Sequence, residues 1–253
     1  MNEKLKYFTY SQNSLNTYKS CPFKFKYKYI DNINWKYDDV DSREYYDSLK
    51  LGREFHLLCE RYFSQIPLGN CQNKEFNKWI NKIKDLFPIK DENIYLPEYD
   101  LRLNLNNKNL IAKVDLVKIK KDSINLWDWK TENREITYKN ALNRMQTIVY
   151  LFLAEEIIRK NFYPTYDIEN ISMNYYQPGL ENNIITINYN KKLHEENKLK
   201  ILNLINNIES TDFNNENKIN KNLNHCKYCE FNKLCNNQNI NYDMISEMEE
   251  EDD

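Results

Sequence analysis

Two aspartates and a lysine in the middle of the chain, and three cysteines near its end, are the residues whose types and spacing can do chemistry. They are Asp115 in AKVDLV, Asp128 and Lys130 in LWDWK, and the sulfurs of HCKYCEFNKLC at 225–235. The stretches 110–119 and 124–130 alternate apolar and polar residues with period two, and the KKDS between them reads as a tight turn joining antiparallel strands. With the turn centred between Lys121 and Asp122, Ile119 faces Ile124 and Val117 faces Leu126, apolar neighbours on one face. One further step of this register sets Asp115 opposite Asp128. Lys130 then points the same way as Asp128, while Trp127 and Trp129 point to the other face.

Opposed carboxylates with Cβ atoms roughly 4.5–5.5 Å apart repel and destabilise a bare sheet. A bound cation removes the repulsion. Hard oxygen ligands suit Mg2+ or Mn2+, and such an ion lowers the pKa of a bound water and stabilises charge on a phosphate. Lys130 is placed to orient that water or help deprotonate it. The plainer reading is a surface hairpin in which one aspartate pairs with Lys113 or Lys130. The cysteines at 226, 229 and 235 follow C-x2-C-x5-C, three ligands where a tetrahedral zinc site or an iron-sulfur cluster takes four.

The elements that must position these groups are legible from periodicity. Residues 51–63, LGREFHLLCERYF, place Leu51, Phe55, Leu58 and Tyr62 at helical spacing, with His56 and Glu60 one turn apart on a neighbouring stripe. A third alternating stretch, 94–105, precedes the other two, so the three strands read as an antiparallel meander. A helix is predicted over 139–160, strands at ISMNYYQ and IITINY around a turn at PGLENN, and a further helix over 191–209. The order helix, three strands, helix, strand predicts a mixed α/β or α+β core with one sheet covered on both faces. The asparagine-rich 214–224 reads as a linker, and 241–253 as an acidic tail on a single domain spanning 1–240.

Composition excludes several function classes. Only three glycines occur, Gly52, Gly69 and Gly179, so neither GxGxxG nor a phosphate-binding GxxxxGK can exist. No run approaches the roughly 20 apolar residues that span a bilayer, and MNEKLKYFTY lacks an apolar signal segment, so an intracellular, cytoplasmic protein is expected. In a reducing compartment clustered cysteines are metal ligands or redox groups rather than disulfides.

The ordered set of residues resembles the PD-(D/E)XK nuclease superfamily, in its RecB-like and AddB-like branch with an iron-sulfur cluster, and is similar to CRISPR-associated single-strand exonucleases. His56 in GREFHLLCE resembles the branch's helical metal-binding histidine, Asp115 in KVDLV its first aspartate, and WDWKT its D-x-K. Gln146 and Tyr150 in RMQTIVY resemble the Q-x-x-x-Y motif. Spaced i and i+4, they share a helix face and can reach one substrate together. Glu98 in LPEYD resembles an accessory acid. The resemblance implies a restriction-endonuclease-like αβββαβ core and an ion held by His56, Asp115, Asp128 and the Trp129 carbonyl. It also implies a fourth cysteine from just before the core, Cys21 in SLNTYKSCPFKFKYKY, so that a 4Fe-4S cluster on Cys21, Cys226, Cys229 and Cys235 staples the two ends of the domain. A four-cysteine zinc site fits the count equally, with His225 as a substitute ligand.

The implied activity is metal-dependent hydrolysis of phosphodiester bonds in DNA, single strands or ends, with a helicase or a CRISPR or repair protein as partner. The alternative is a catalytically inactive nuclease-fold module that binds DNA in a repair or CRISPR adaptation complex, against which the intact Asp115, Asp128 and Lys130 argue. YKSCPFKFKYKYI offers stacking rings and phosphate-binding lysines for a strand, or else a lysine-rich helix with a buried aromatic stripe. Cys59 and Cys71 read as structural, His194 in the charged HEENK as solvated, and Met145 and the tryptophans as core.

Overall fold

The computed structural model describes residues 3–33, 40–69, 71, 73–132, 134–181, 184–219, 221–226 and 229–237. The acidic stretch 241–253 lies outside them. A short strand β1 (Thr9–Ser11) opens the fold and leads into α1 (Gln12–Ser20). Ser11 and Ser14 cap α1 reciprocally, each side chain taking the other's backbone N–H, so the turn from strand to helix is written in S-x-x-S. Cys21 ends α1, and α2 (Pro22–Phe25) follows with proline at its first position, running into a π-helical turn, Lys26–Ile30. Two longer helices come next, α3 (Val40–Phe63) and α4 (Lys74–Leu86), the latter capped by Asn73.

The predicted meander is β2 (Ile94–Leu105), β3 (Lys108–Lys120) and β4 (Ser123–Trp129). Asn106 and Asn107, both at positive φ, form the two-residue turn between β2 and β3, a conformation asparagine tolerates and right-twisted strands favour. The β3–β4 register is the predicted one, with Val117 opposite Leu126 and Ile119 opposite Ile124. Next come α5 (Tyr138–Asn143) and α6 (Met145–Leu153), α6 continuing through a π turn (Ala154–Arg159) into α7 (Lys160–Phe162). The chain finishes with β5 (Ile171–Tyr176), β6 (Ile184–Asn188), α8 (Lys191–Ser210), α9 (Leu223–Cys226) and α10 (Asn232–Asn236). The helix expected over 139–160 is thus broken at Arg144, whose ψ of 137° is extended. The break turns Arg144 inward to Glu132, 3.1 Å away, and over the ring of Tyr175.

The sheet is mixed: β1 runs parallel to β3 and β4 parallel to β5, the other pairings being antiparallel. β2 follows one edge of β3 along its length. The other edge is shared, by β1 opposite residues 109–111 and by β4 opposite 116–120, which leaves 112–115 without a strand neighbour there. Apolar cores cover both faces, as predicted. One packs α1, α6 and α8 on the sheet; the other sets Phe55 and Phe63 of α3 and Phe76, Ile80 and Ile83 of α4 against Leu116, Trp129 and Tyr176. In the second core the stacked rings of Trp127 and Trp129, 5.8 Å apart, lie together on the face opposite Asp128, and Phe63 stacks on Trp129 at 5.8 Å. Among the described residues no helix is long and apolar enough to cross a membrane.

Candidate active site

The β3–β4 ladder stops at Leu116 opposite Trp127, one residue short of the aspartates. There β4 parts from β3 but keeps the partner it has had since Ile124, β5, with Asp128 beside Tyr175, and the Trp129 N–H that would have continued the ladder donates instead to Asp115 Oδ2 at 2.9 Å. On the other side of β3 the ladder with β2 runs from Pro97 opposite Leu116 to Tyr99 opposite Val114 and skips Glu98, which sits at φ +49°. A left-handed glutamate inside a strand is strained, at a cost of about 1–3 kcal/mol, and such strain gathers where function demands it. A carboxylate oxygen of Glu98, one of Asp115 and a ring nitrogen of His56 lie within 4.8 Å of one another. His56 comes from α3, one turn before Cys59 and Glu60. Glu98, assigned above only an accessory place, is therefore in the ligand group itself, while Asp128 stands beside it.

Each acid has its own cation: His56 Nδ1 is 3.2 Å from Asp115, Lys113 Nζ 2.8 Å from Glu98 and Lys130 Nζ 3.3 Å from Asp128. Burial disfavours the imidazolium of His56, but the Asp115 carboxylate outweighs it and raises the pKa to about 9. Burial pushes Asp128 up to about 7 against the opposing pull of Lys130, and Asp115 adds to the rise. Asp128 Oδ2 is buried and makes no hydrogen bond, the Lys130 ammonium being near but not aligned for one. A bare buried carboxylate oxygen beside two acids and an imidazole is the donor set a hard divalent ion takes. The residues fit such an ion.

Gln146 and Tyr150 lie on one helix face, as their spacing requires, but both are buried and turned inward. Gln146 donates to Asp128 Oδ1 at 2.6 Å and to the Tyr150 hydroxyl at 3.3 Å. Tyr150 donates to the Lys113 carbonyl, in the part of β3 that lacks a strand neighbour, and accepts from Gln12 of α1 at 3.3 Å. Tyr175 donates to Gln146 Oε1 at 3.4 Å. The motif thus orients Asp128 and completes the sheet edge rather than reaching out to a substrate.

At the other end of α1, Cys21 is buried near the C-terminal cysteines. Its charge helps raise the thiols of Cys229 and Cys235, as does that of Cys226 for Cys235. Burial is the larger cause and takes Cys229 to about 12, while the Phe231 N–H donates to that sulfur and Tyr27 to Cys235. Asn222 donates to the Ser20 carbonyl at 3.1 Å, Tyr27 packs on Phe231, and Lys24 approaches Glu230 at 3.6 Å, so the two chain ends meet. No three of these sulfurs lie within 4.8 Å of one another. All six cysteines carry free thiols.

Two expectations are corrected. His194 is not solvated: it is buried, stacked on Phe152, with Nε2 3.0 Å from Glu156 and Nδ1 3.0 Å from the Tyr189 hydroxyl. The stretch YKSCPFKFKYKYI is not an open stacking platform, since Phe23 and Phe25 are buried, Lys26 pairs with Asp31 and Glu216, and Lys24 with Glu230. Cys59 is buried and Met145 and Trp129 are core, as expected. Sequence reasoning did not find Gln12, Glu132, Arg144 or Tyr175, which support the site. Arg144 alone carried a signal, an arginine two residues before the Q-x-x-x-Y glutamine.

A mixed sheet that splits at an aspartate, with a second aspartate and a lysine on the diverging strand and a histidine and glutamate closing the group, is the mixed α/β arrangement of the PD-(D/E)XK nucleases. The sequence profile of the PD-(D/E)XK nuclease superfamily matches residues 9–92 and 75–236, and the chain belongs to that superfamily. No curated protein matches it. Among solved structures it is similar to a crystal structure of a "Putative exonuclease" from Eubacterium rectale, with 14% identity, 87% of this chain and 92% of that one covered, and a TM-score of 0.46.

Proposed function

We propose that the protein is a Mg2+- or Mn2+-dependent deoxyribonuclease that trims single-stranded DNA or DNA ends. The observation that carries this reading is the group His56, Glu98 and Asp115 beside the bare Oδ2 of Asp128 and the ammonium of Lys130. His56, Glu98, Asp115, Asp128 and the Trp129 carbonyl would hold the ion, which when bound supplies an acidified water and charge stabilisation at the phosphate. Lys130 orients the attacking water and takes up part of the phosphate's charge. Gln146 fixes Asp128 through Oδ1, so Oδ2 faces the site. The Trp127, Trp129 and Phe63 stack closes the sheet behind it against water. The preference for single strands and ends rests on the motif resemblance to the RecB-like and AddB-like branch, as does a helicase or a CRISPR or repair partner.

The same reading gives the four thiols of Cys21, Cys226, Cys229 and Cys235 a 4Fe-4S cluster. A tetrahedral zinc cage with Zn–S bonds near 2.3 Å needs its sulfurs about 3.8 Å apart, closer than any three of these sulfurs lie. The Phe231 N–H and the Tyr27 hydroxyl donate to two of the sulfurs, hydrogen bonds of the kind that tune cluster thiolates. The test is incubation of anaerobically purified protein with end-labelled single and double strands in Mg2+, Mn2+ or EDTA. Stepwise shortening of single strands that EDTA stops is expected. DNA binding without cleavage in any metal would replace the enzyme by a DNA-binding module.

A further inference from the structure

Lys113 stands apart from the other two cations of the site. His56 and Lys130 are mostly covered, whereas the Lys113 side chain is 59% exposed and reaches Glu98 Oε2 from the solvent side. Its backbone is held on both edges, by pairing with Asp100 of β2 and by the Tyr150 hydroxyl on its carbonyl. A fixed root therefore carries a long mobile arm. Lys113 and Asp115 lie two apart on β3 and so project to one face. Glu60 of α3 and Asp100 are also within its electrostatic reach, so the charges that act on it most strongly are acidic. We propose that Lys113 is a displaceable cation: it occupies the metal's place at Glu98 in the metal-free protein, is driven off when a divalent ion binds, and then contacts a phosphate of the nucleic acid strand. This rests on the nuclease reading of the site.

The charges require the first step. A divalent ion ligated by Glu98 repels the ammonium beside it, and an exposed ion pair of this kind contributes little that would resist exchange. Lys130, mostly covered, stays at Asp128, and His56 is itself placed to ligate the ion, which leaves the exposed Lys113 as the cation that moves. Once moved, it is an exposed positive charge beside an ion whose substrate is a polyanion, and an ammonium with three donors on a flexible stem suits phosphate oxygens.

The test uses Lys113→Gln and Lys113→Arg in the full chain, with circular dichroism melting to establish folding. Mn2+ titration by calorimetry, without nucleic acid, reads the first half. Lys113→Gln is expected to bind Mn2+ about ten-fold more tightly, the size expected for removing a unit charge several ångströms from a divalent ion in a water-rich site, while Lys113→Arg stays near wild type. Binding of fluorescent oligothymidine in Ca2+ over a salt series reads the second. Lys113→Gln should weaken it and reduce the slope of log K against log salt by about 0.7, one contact to a single strand. Unchanged or weaker Mn2+ binding by Lys113→Gln overturns the displacement, and an unchanged salt slope overturns the phosphate contact. Both readouts are independent of cleavage, so a protein that binds Mn2+ as expected but cuts nothing refutes the nuclease reading and leaves the displacement standing.

Discussion

Tyr150→Phe isolates one oxygen on which the sheet and the site both depend. The phenol donates to the Lys113 carbonyl where β3 has neither β1 nor β4 beside it, and it accepts from Gln146 and Gln12. Phenylalanine keeps the packing, since Tyr150 is buried in the core between α6 and the sheet. A buried carbonyl losing its donor costs about 1–3 kcal/mol. For a chain of this size each kcal/mol moves the midpoint by about 2–4 °C, so Tm should fall by about 2–12 °C. Gln146 loses one of its two anchors but keeps Asp128, so looser orientation of that carboxylate should lower kcat about five- to ten-fold with KM for DNA little changed. Differential scanning fluorimetry and steady-state cleavage of a labelled single strand measure both. A variant that melts with wild type shows that the carbonyl does not need the phenol. A variant with a raised KM and an unaltered kcat shows that Tyr150 meets the substrate, and the inward role assigned to it fails.

Asp115→Asn and Asp128→Asn should each abolish cleavage, and Asp128→Asn should melt higher than wild type in EDTA because a buried, strained charge is gone; loss of fold in either variant would contradict this. Lys130→Ala should slow turnover while calorimetry still shows Mn2+ bound, and joint loss of both would make the lysine part of the ion's cage. The metal-free protein should lose stability as pH rises. Asp128, about 7 in the folded chain against about 4 unfolded, contributes stability present below pH 4 and lost through 7, and His56 contributes stability present below about 6.5 and lost through about 9. Mn2+, which takes the deprotonated forms, should flatten or reverse the slope in a pH series of melts, and a metal-free Tm that climbs from pH 5 to 9 would sink the assignment. Cys21→Ser should bleach anaerobically purified protein, strip its iron of about four atoms per chain and expose the C-terminal segment to protease. Unchanged colour and resistance would remove Cys21 from the cluster.

What the sequence disclosed follows from which interactions are local. The strands and their register were legible because Ile119, Ile124, Val117 and Leu126 alternate on a half-buried face, where a slip of one residue would turn them all to the wrong side. That register brought the two aspartates to the same end of the strands, but the ladder ends at Leu116 opposite Trp127, so they do not face each other as expected. Glutamate is no left-handed residue by habit, so nothing in LPEYD announces the backbone flip that brings Glu98 to His56. Helical spacing put Gln146 and Tyr150 on one face but could not say what that face meets, and it proved to be β3 and Asp128 rather than solvent. The break at Arg144 has no proline or glycine to mark it; it is made by the pull of Glu132 across a loop. α4 escaped the sequence reading although Phe76, Ile80 and Ile83 stand at helical spacing, and β1 was too short at three residues for alternation to show.

The site occupies the weakest place in the sheet, and its chemistry follows from that weakness. A strand beside residues 112–115 of β3 would have satisfied the backbone and sealed the edge. Because β1 ends at Ser11 and β4 parts from β3 after Trp127, side chains do this work: Tyr150 serves the Lys113 carbonyl, and Asp115 the Trp129 N–H. The same departure lets Asp128 approach without lying in the ladder and leaves its Oδ2 bare. Three carboxylates then share a cleft that only positive charge can hold together, and in the metal-free chain His56, Lys113 and Lys130 answer them one for one. One divalent ion can replace two of those partners because a histidine can shed its proton and an exposed lysine can swing away, whereas Lys130, covered and set beside the carboxylate on the diverging strand, has nowhere better to go. The residue that stays is the one the reaction needs beside the water.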